Sequence, residues 1–327
     1  MIRLFATALG LVALAVGAAG LVARYLPVTN EVVLVVAAAA PYLTVASLIA
    51  LFMFVVSRRW VLTIVAALLC VVMIAVQLPR FIGPEKVGVP SVAVRVVTAN
   101  LGRGHADPRA VTELAGTTAD VLVIQELTPE AATGLSGAGL DAIFPYRALN
   151  PAARSSGVGV WSRYPIIDSA RIDAYVMPML RARIQVPGVM FPTTVLSVHL
   201  AAPWVQSLHY FRDDVANFPV TLRELSREAG SGAVIVAGDF NSTLDMQPFR
   251  KLLAEGYRDA GEQAGAGLTR TYPSKPWRRP VIGIDHVLVH NCSASSVRTV
   301  ALPGSDHRGL ATVIDVPVDP TASYPVV

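Results

Sequence analysis

Cysteine and charge are the scarce residues of this sequence. Two cysteines, Cys70 and Cys292, occur in 327 residues, one inside an apolar run and one far downstream. No disulfide framework organises such a chain. Charged residues make up 15% against 53% apolar, and the mean hydropathy is +0.52, which excludes a single ordinary soluble domain. No internal repeat and no low-complexity tract is present.

The shortage of charge is local. Residues 4–23, 32–56 and 60–78 contain no Asp, Glu, Lys or Arg. A bilayer core of about 30 Å takes roughly 20 apolar helical residues, so three transmembrane helices are expected in a membrane domain of residues 1–79. Arg3 before an apolar run also suits a signal peptide, but two more runs with short connections favour an anchor. Arg58 and Arg59 between the second and third runs predict a cytoplasmic loop, opposed weakly by Arg80 and Lys86. The N-terminus is then cytoplasmic and everything beyond Leu78 extracytoplasmic, as in a multi-pass cell-membrane protein.

Up to position 90 there are six Lys or Arg and two acids, which leaves 21 of each sign downstream. The net charge of +4 therefore belongs to the membrane part. A nucleic-acid binder usually carries net positive charge or a basic stripe, so nucleic acid is not the favoured partner.

Residues 80–91, rich in Pro, Gly and charge, read as a linker, residues 92–318 as one α/β domain, and residues 319–327 as a tail. Apolar or β-branched runs predict strands over 92–98, 120–125, 157–162, 171–175, 180–186, 194–199, 233–237, 282–289 and 311–316. Asp107-Pro108 opens a helix as N-cap and first helical residue. Further helices are expected over 129–135, 205–229 with a break at Pro219, and 248–255.

Polar residues gather where the apolar strands stop. Asn100, Glu126, His199, Asp239 with Asn241, and Asp285 each end or interrupt such a run, and Asp306-His307 precedes the last one. Any one of these suits a turn or cap. Together they suit a shared site, in which crowded acids need a cation or a shared proton. All-oxygen ligands with few cysteines point to Mg²⁺ or Mn²⁺ rather than zinc.

The segments TANLG (98–102), VIQEL (123–127), GVGVWSRYPI (157–166), SVHL (197–200), GDFNST (238–243), GIDHVLV (283–289) and SDHRGL (305–310) occur in this order. This ordered set resembles the endonuclease/exonuclease/phosphatase superfamily, whose members include DNase I-like nucleases, apurinic-site endonucleases, inositol polyphosphate phosphatases and neutral sphingomyelinases. The resemblance covers nearly all of residues 92–316. It implies a two-sheet, four-layered α/β sandwich with the site at one edge. It also implies roles: Glu126, Asn100 and Asp306 near a metal, His307 on the scissile phosphate or as base, and Asp285 orienting it. Asp239 would activate water or protonate the leaving group, while Asn241 and His199 would hold phosphate. Strand alternation would set Asp239 and Asn241 on one side and Phe240 inward.

Arg103, Trp204, Arg278 and Arg279 flank the inferred site and are candidate contacts for phosphate, headgroup or bilayer surface. His105 reads as a solvated loop residue, His209 and Tyr210 as packing, and His286 as facing away from Asp285. A substrate-binding aromatic often found in the family between Glu126 and Gly157 has only Tyr146 as a counterpart.

The expectation is a membrane-anchored, Mg²⁺-dependent phosphoester hydrolase acting on a mono- or diester outside the cytoplasm. A lipid-linked or headgroup substrate is favoured, because the spans tether the domain near the membrane plane, its net charge is neutral and it is short for the family. The alternatives are an extracytoplasmic nuclease acting on DNA or RNA, and a non-catalytic membrane scaffold. Against the scaffold, no matched catalytic position carries an inert residue. Oligomeric state is left open.

Overall fold

The computed structural model describes residues 1–83 and 89–322. The chain opens with α1 (Ile2–Tyr25), α2 (Glu31–Ser57) and α3 (Trp60–Ala75), then a 3₁₀ turn at Leu78–Phe81. The buried stripe of α1 is small: Ala6, Gly10, Ala13, Gly17 and Gly20 recur at three- and four-residue spacing. Small residues let helices approach closely, and a Cβ on Gly10 would lie 2.7 Å from the Phe54 ring. The large apolar residues of α1 and α2, among them Leu4, Phe5, Val12, Val45 and Phe52, face outward.

Two of these helices, α1 and α2, are long and apolar enough to cross a membrane. The expected third span over 60–78 is shorter. It stops at Ala75, giving 16 residues where about 20 are needed. The turn at Leu78–Phe81 carries Pro79 in its first positions, and proline removes a backbone donor that a longer helix would use.

The rest of the chain is strand-rich. In order come β1 (Ser91–Asn100), α4 (Pro108–Thr118), β2 (Val121–Gln125), α5 (Pro129–Gly137), α6 (Leu140–Ile143), β3 (Tyr146–Asn150), β4 (Val158–Ser162), β5 (Ile166–Ile172) and β6 (Met179–Ile184). There follow β7 (Thr193–His199), α7 (Leu208–Ala229), β8 (Val234–Asp239), α8 (Gln247–Leu253), β9 (Arg258–Asp259), α9 (Ala260–Gln263), β10 (Asp285–His290), β11 (Ser293–Val300) and β12 (Gly309–Pro317). One six-stranded sheet has the order β11-β12-β1-β2-β4-β3 and the other β5-β6-β7-β8-β10-β9.

Side-chain alternation builds four layers from these sheets. Val94, Val96, Val121 and Val123 share one buried cluster with Val195, Ile235, Ala237 and Val287 of the facing sheet. The intervening residues point outward. Val97, Ala99, Leu122 and Ile124 pack under α4, α5 and α6, and Leu196, Val198, Val234 and Val236 pack under α7 and α8. Strands covered on both faces are predominantly apolar.

Three expectations need correction. Helix α7 runs unbroken through Pro219. Phe211, Val215, Phe218 and Leu222 anchor it to the sheet on both sides of the proline, and this burial outweighs the roughly 3 kcal/mol cost of an internal proline. The strand expected over 171–175 is β5, which ends at Ile172. Arg80 does not belong to a linker. It is buried and its carbonyl accepts from Gly267 N at 2.7 Å; residues 84–88 of that segment, and 323–327 of the expected tail, lie outside the described residues.

The helical hairpin and the sandwich share a core. Leu34, Ala37 and Ala38 of α2 belong to the cluster that holds Phe211, Phe240 and Leu244. At the same contact Asp245 accepts from Arg24, from Gln77 at 2.9 Å and from Arg80 at 2.7 Å.

Candidate active site

Topology sets the site at one sandwich edge. Strands β1 and β2 are parallel and end at Asn100 and Gln125; β7 and β8 are parallel and end at His199 and Asp239. Strands β10 and β12 run the other way and begin at Asp285 and Gly309. Six strand ends thus deliver their polar residues to one place. Asp239 sits opposite both His199 and Asp285 in strand register.

The β7–β8 contact is tight at this point. Gly238 has φ 153°, and a Cβ there would lie 2.0 Å from the Val198 carbonyl oxygen. Only glycine fits.

Asp239 is the hub. Its Oδ2 accepts from Asn100 Nδ2 at 3.0 Å and lies 3.7 Å from Nε2 of both His199 and His307. Its Oδ1 accepts the Asn241 N–H at 2.8 Å. That turn, with Asn241 at φ 48°, brings Asp239 and Asn241 together; strand alternation does not extend so far. Phe240 points into the core against Phe218 and Phe249.

The imidazoles are oriented from behind. His307 Nδ1 donates to Asp285 Oδ2 at 2.9 Å, and His199 Nδ1 donates to the Ser155 carbonyl at 3.2 Å. Each Nε2 is left facing the cavity. Burial opposes a charge on His307, but Asp285, then Asp239 and Asp306, outweigh it and raise its pKa to about 10. Burial, then the Asp285 carboxylate, pushes Asp239 up to about 6, with His307 and His199 pulling against them. The mutual attraction of the two favours an imidazolium at His307 beside a carboxylate at Asp239.

A cavity of 380 Å³ opens over these groups, lined by Glu126, His199, Asp239, Asn241, Asp306 and His307 among others. Three non-glycine residues on its wall, Arg103, Glu126 and Asn241, have positive φ. Such conformations cost about 1–3 kcal/mol each and cluster where geometry serves function. Glu126 accepts the Arg103 N–H. The Asp306 carboxylate has no protein hydrogen-bond partner among the described residues.

Not every candidate lies where the sequence suggested. Asn100 is fully buried; its Oδ1 accepts Gly102 N–H at 2.9 Å and its Nδ2 faces Asp239 and Glu126. It is a donor to the acids, not an oxygen turned to a cation. Arg103 and Trp204 line the cavity. Arg278 lines a neighbouring hollow, and Arg279 lines neither. Tyr146 begins β3 opposite Ser162, at the end away from the site.

His286 does face away, held by Asp259 Oδ2 at 2.8 Å and the Ser242 carbonyl at 3.0 Å. His105 is exposed on a turn, as its reading as a solvated loop residue has it, and it also borders the cavity. The sequence reading missed Tyr272, whose ring lies 4.9 Å from that of His307, and Lys275, Met177 and Gln206 on the cavity wall. All four sit on loops, where no periodicity marks them.

Two carboxylates, one without a protein partner, beside a buried anion whose pKa is already raised, form a donor set that fits a hard divalent cation. Asp239, Asp285 and His307 also place ligand atoms within 4.8 Å of one another; the His307–Asp285 hydrogen bond and the Asp239–Asp285 strand pairing account for that closeness.

Among solved structures, D. rerio TDP2 complexed with a single-strand DNA product is similar at 18% identity and TM-score 0.54, over 68% of this chain and 98% of that one. The endonuclease/exonuclease/phosphatase from Bacteroides vulgatus is similar at 16% identity and TM-score 0.54, over 69% and 99%. The 3′ phosphatase NExo from Neisseria, bound to a product DNA hairpin, is similar at 19% identity and TM-score 0.51, over 67% and 98%. At these identities the likeness is one of fold. No curated protein matches the sequence. Residues 97–307 match the profile described as Endonuclease/Exonuclease/phosphatase family. That match spans the site from β1 to His307, and the chain belongs to this family of phosphoester-cleaving proteins.

Proposed function

We propose that the chain is a membrane-anchored, divalent-cation-dependent phosphoesterase that hydrolyses a phosphate mono- or diester outside the cytoplasm. The observation that carries this reading is the convergence of Glu126, Asp239, Asp306, His199 and His307 on one cavity. Glu126 and Asp306 are the groups to hold Mg²⁺ or Mn²⁺, which when bound would neutralise charge on the phosphoryl oxygens.

The chain's own residues do the rest. Asp239, ionised at neutral pH, orients a water and takes its proton as the water oxygen bonds to phosphorus. His307, a cation fixed by Asp285, directs its Nε2–H at the phosphoryl group and supplies the proton to the departing ester oxygen as its bond to phosphorus breaks. Asn100 keeps Asp239 in place, and His199 and Asn241 face the growing negative charge.

The membrane part of the reading rests on α1 and α2 and on their charge pattern. Arg3, Arg58 and Arg59 lie at the end away from the sandwich, Arg24 and Arg80 against it. A cytoplasm-active reporter fused after Val327 tests the orientation and should be silent. The DNA bound to two of the similar structures favours a second reading, an extracytoplasmic nuclease, for which plasmid cleavage should exceed hydrolysis of phospholipid.

The catalytic test is Asp239→Ala. It should lower hydrolysis of bis(p-nitrophenyl) phosphate by about 10²–10⁴-fold with unchanged circular dichroism. Near wild-type turnover refutes the role.

A further inference from the structure

The catalytic cavity borders a second hollow of 590 Å³. One wall is α2, through Val35, Ala39 and Tyr42; the other is the 272–282 loop. Trp204, Tyr272 and Lys275 line both spaces, so the catalytic cavity and the flank of α2 adjoin across these three side chains. Tyr42 Oη donates to the Val281 carbonyl, and the Arg270 guanidinium lies 5.5 Å over the Tyr42 ring. These contacts fix the loop against the helix.

The two spaces differ in chemistry. The catalytic cavity holds carboxylates and imidazoles. The second hollow has no acid on its wall and two cations, Lys275 and Arg278, neither with an ion-pair partner among the described residues. Lys275 Nζ lies 5.7 Å over the Trp277 ring. Val35, Trp204, Val205 and Trp277 stay exposed around it. Tryptophan and lysine at the edge of an apolar slot suit a headgroup boundary. A water-soluble ester has no use for an apolar slot walled by a helix long enough to span a bilayer. A phosphoester carrying a hydrocarbon chain does: the chain passes along α2 while the phosphate enters the cavity.

We propose that this groove holds the hydrocarbon chain of a lipid phosphoester, with Lys275 and Arg278 on its headgroup oxygens and its phosphate at Asp239 and His307. The proposal rests on the phosphoesterase reading above and names the substrate class of the same site.

The test uses the full chain in detergent and two chromogenic esters, bis(p-nitrophenyl) phosphate and hexadecyl p-nitrophenyl phosphate. Burying two methylenes is enough for roughly tenfold, so kcat/KM for the hexadecyl ester should be about tenfold higher or more. Ala39→Trp, which fills the groove, should lower kcat/KM for the hexadecyl ester about tenfold more than for the chainless one; turnover of the chainless ester reports that the variant is folded. A second readout needs no turnover. Hexadecyl phosphate with a diazirine at its chain terminus should cross-link to residues 35–42 in the wild type, competed by unlabelled hexadecyl phosphate. Equal kcat/KM for the two esters with equal response to Ala39→Trp overturns the groove and leaves the hydrolase standing. Saturable cross-linking to α2 with neither ester hydrolysed supports the groove and sinks the catalytic reading. Cross-linking elsewhere overturns the groove.

Discussion

Replacing Asp245 with asparagine should undock the helices from the catalytic domain. The Asp245 side chain is 1% exposed, and the Arg24 and Arg80 side chains that bind it are 8% and 6% exposed. Among the described residues the Arg24 guanidinium makes one other hydrogen bond, at 3.4 Å to the Val76 carbonyl. Nε of both arginines is buried without a partner. The asparagine keeps the shape and removes the carboxylate that pairs with both buried cations. Breaking such a pair costs about 3–5 kcal/mol. A domain of this size loses about 2–4 °C of Tm per kcal/mol, so the full chain in detergent should melt roughly 6–20 °C lower. Asp245 closes the segment that begins at Asp239, so kcat on a soluble ester should fall as well. The triple variant Arg24→Met, Arg80→Met, Asp245→Leu should recover most of the Tm, because apolar side chains replace a buried ion pair at little cost. A melting point for Asp245→Asn within about 2 °C of wild type refutes this reasoning.

Other outcomes follow from single contacts. Gly238→Ala places a methyl against the Val198 carbonyl and should cost more than about 3 kcal/mol in a denaturant titration; wild-type stability contradicts the β7–β8 geometry. Asp285→Asn removes the partner of His307 and should lower kcat about 10²-fold or more with little change in KM. Asp120 bears on pH. Burial raises its pKa, but the hydrogen bonds from Arg95 win and hold it below the usual value. Its contribution is therefore present above pH about 4 and lost as pH falls through the depressed folded value. Asp120→Asn should lower Tm at pH 7, with the gap closing in acid; a gap independent of pH contradicts the assignment.

The parts of the fold legible in the sequence are those with one strong signal. Strands β7 and β8 are buried along their whole length, and β8 reads as an unbroken apolar run up to Gly238 while β7 is apolar or β-branched but for Ser197 before it ends at His199. The unread strands lie at edges. β3 reads Tyr-Arg-Ala-Leu-Asn with two exposed residues, and β11 reads Ser-Ala-Ser-Ser-Val-Arg-Thr-Val with mixed exposure and a register shift between Ala294 and Ser296. Edge strands need one apolar face at most, and the pattern fades. The break expected at Pro219 shows tertiary packing overriding local propensity. The same division holds at the site. Asn100, Glu126, His199, Asp239 and Asp285 stand out because each interrupts or ends an apolar run. Tyr272 and Lys275 are placed by the 272–282 loop, which folds back on α2 and on the turn at Asp306, where Ser274 N donates to the Asp306 carbonyl at 2.6 Å. No local pattern encodes that contact. Nor does the sequence show that the end of α1 and the start of α2 enter the catalytic core through Ala23, Leu34 and Ala38. An apolar helix face reads the same whether lipid or protein covers it.

The most direct test of the central claim is turnover of bis(p-nitrophenyl) phosphate by the full chain, wild type beside His307→Ala, with EDTA and after Mg²⁺ is restored. EDTA should abolish the activity and Mg²⁺ return it, and the variant should lose about 10²–10⁴-fold at unchanged Tm. Turnover that survives both EDTA and removal of the imidazole would contradict the claim.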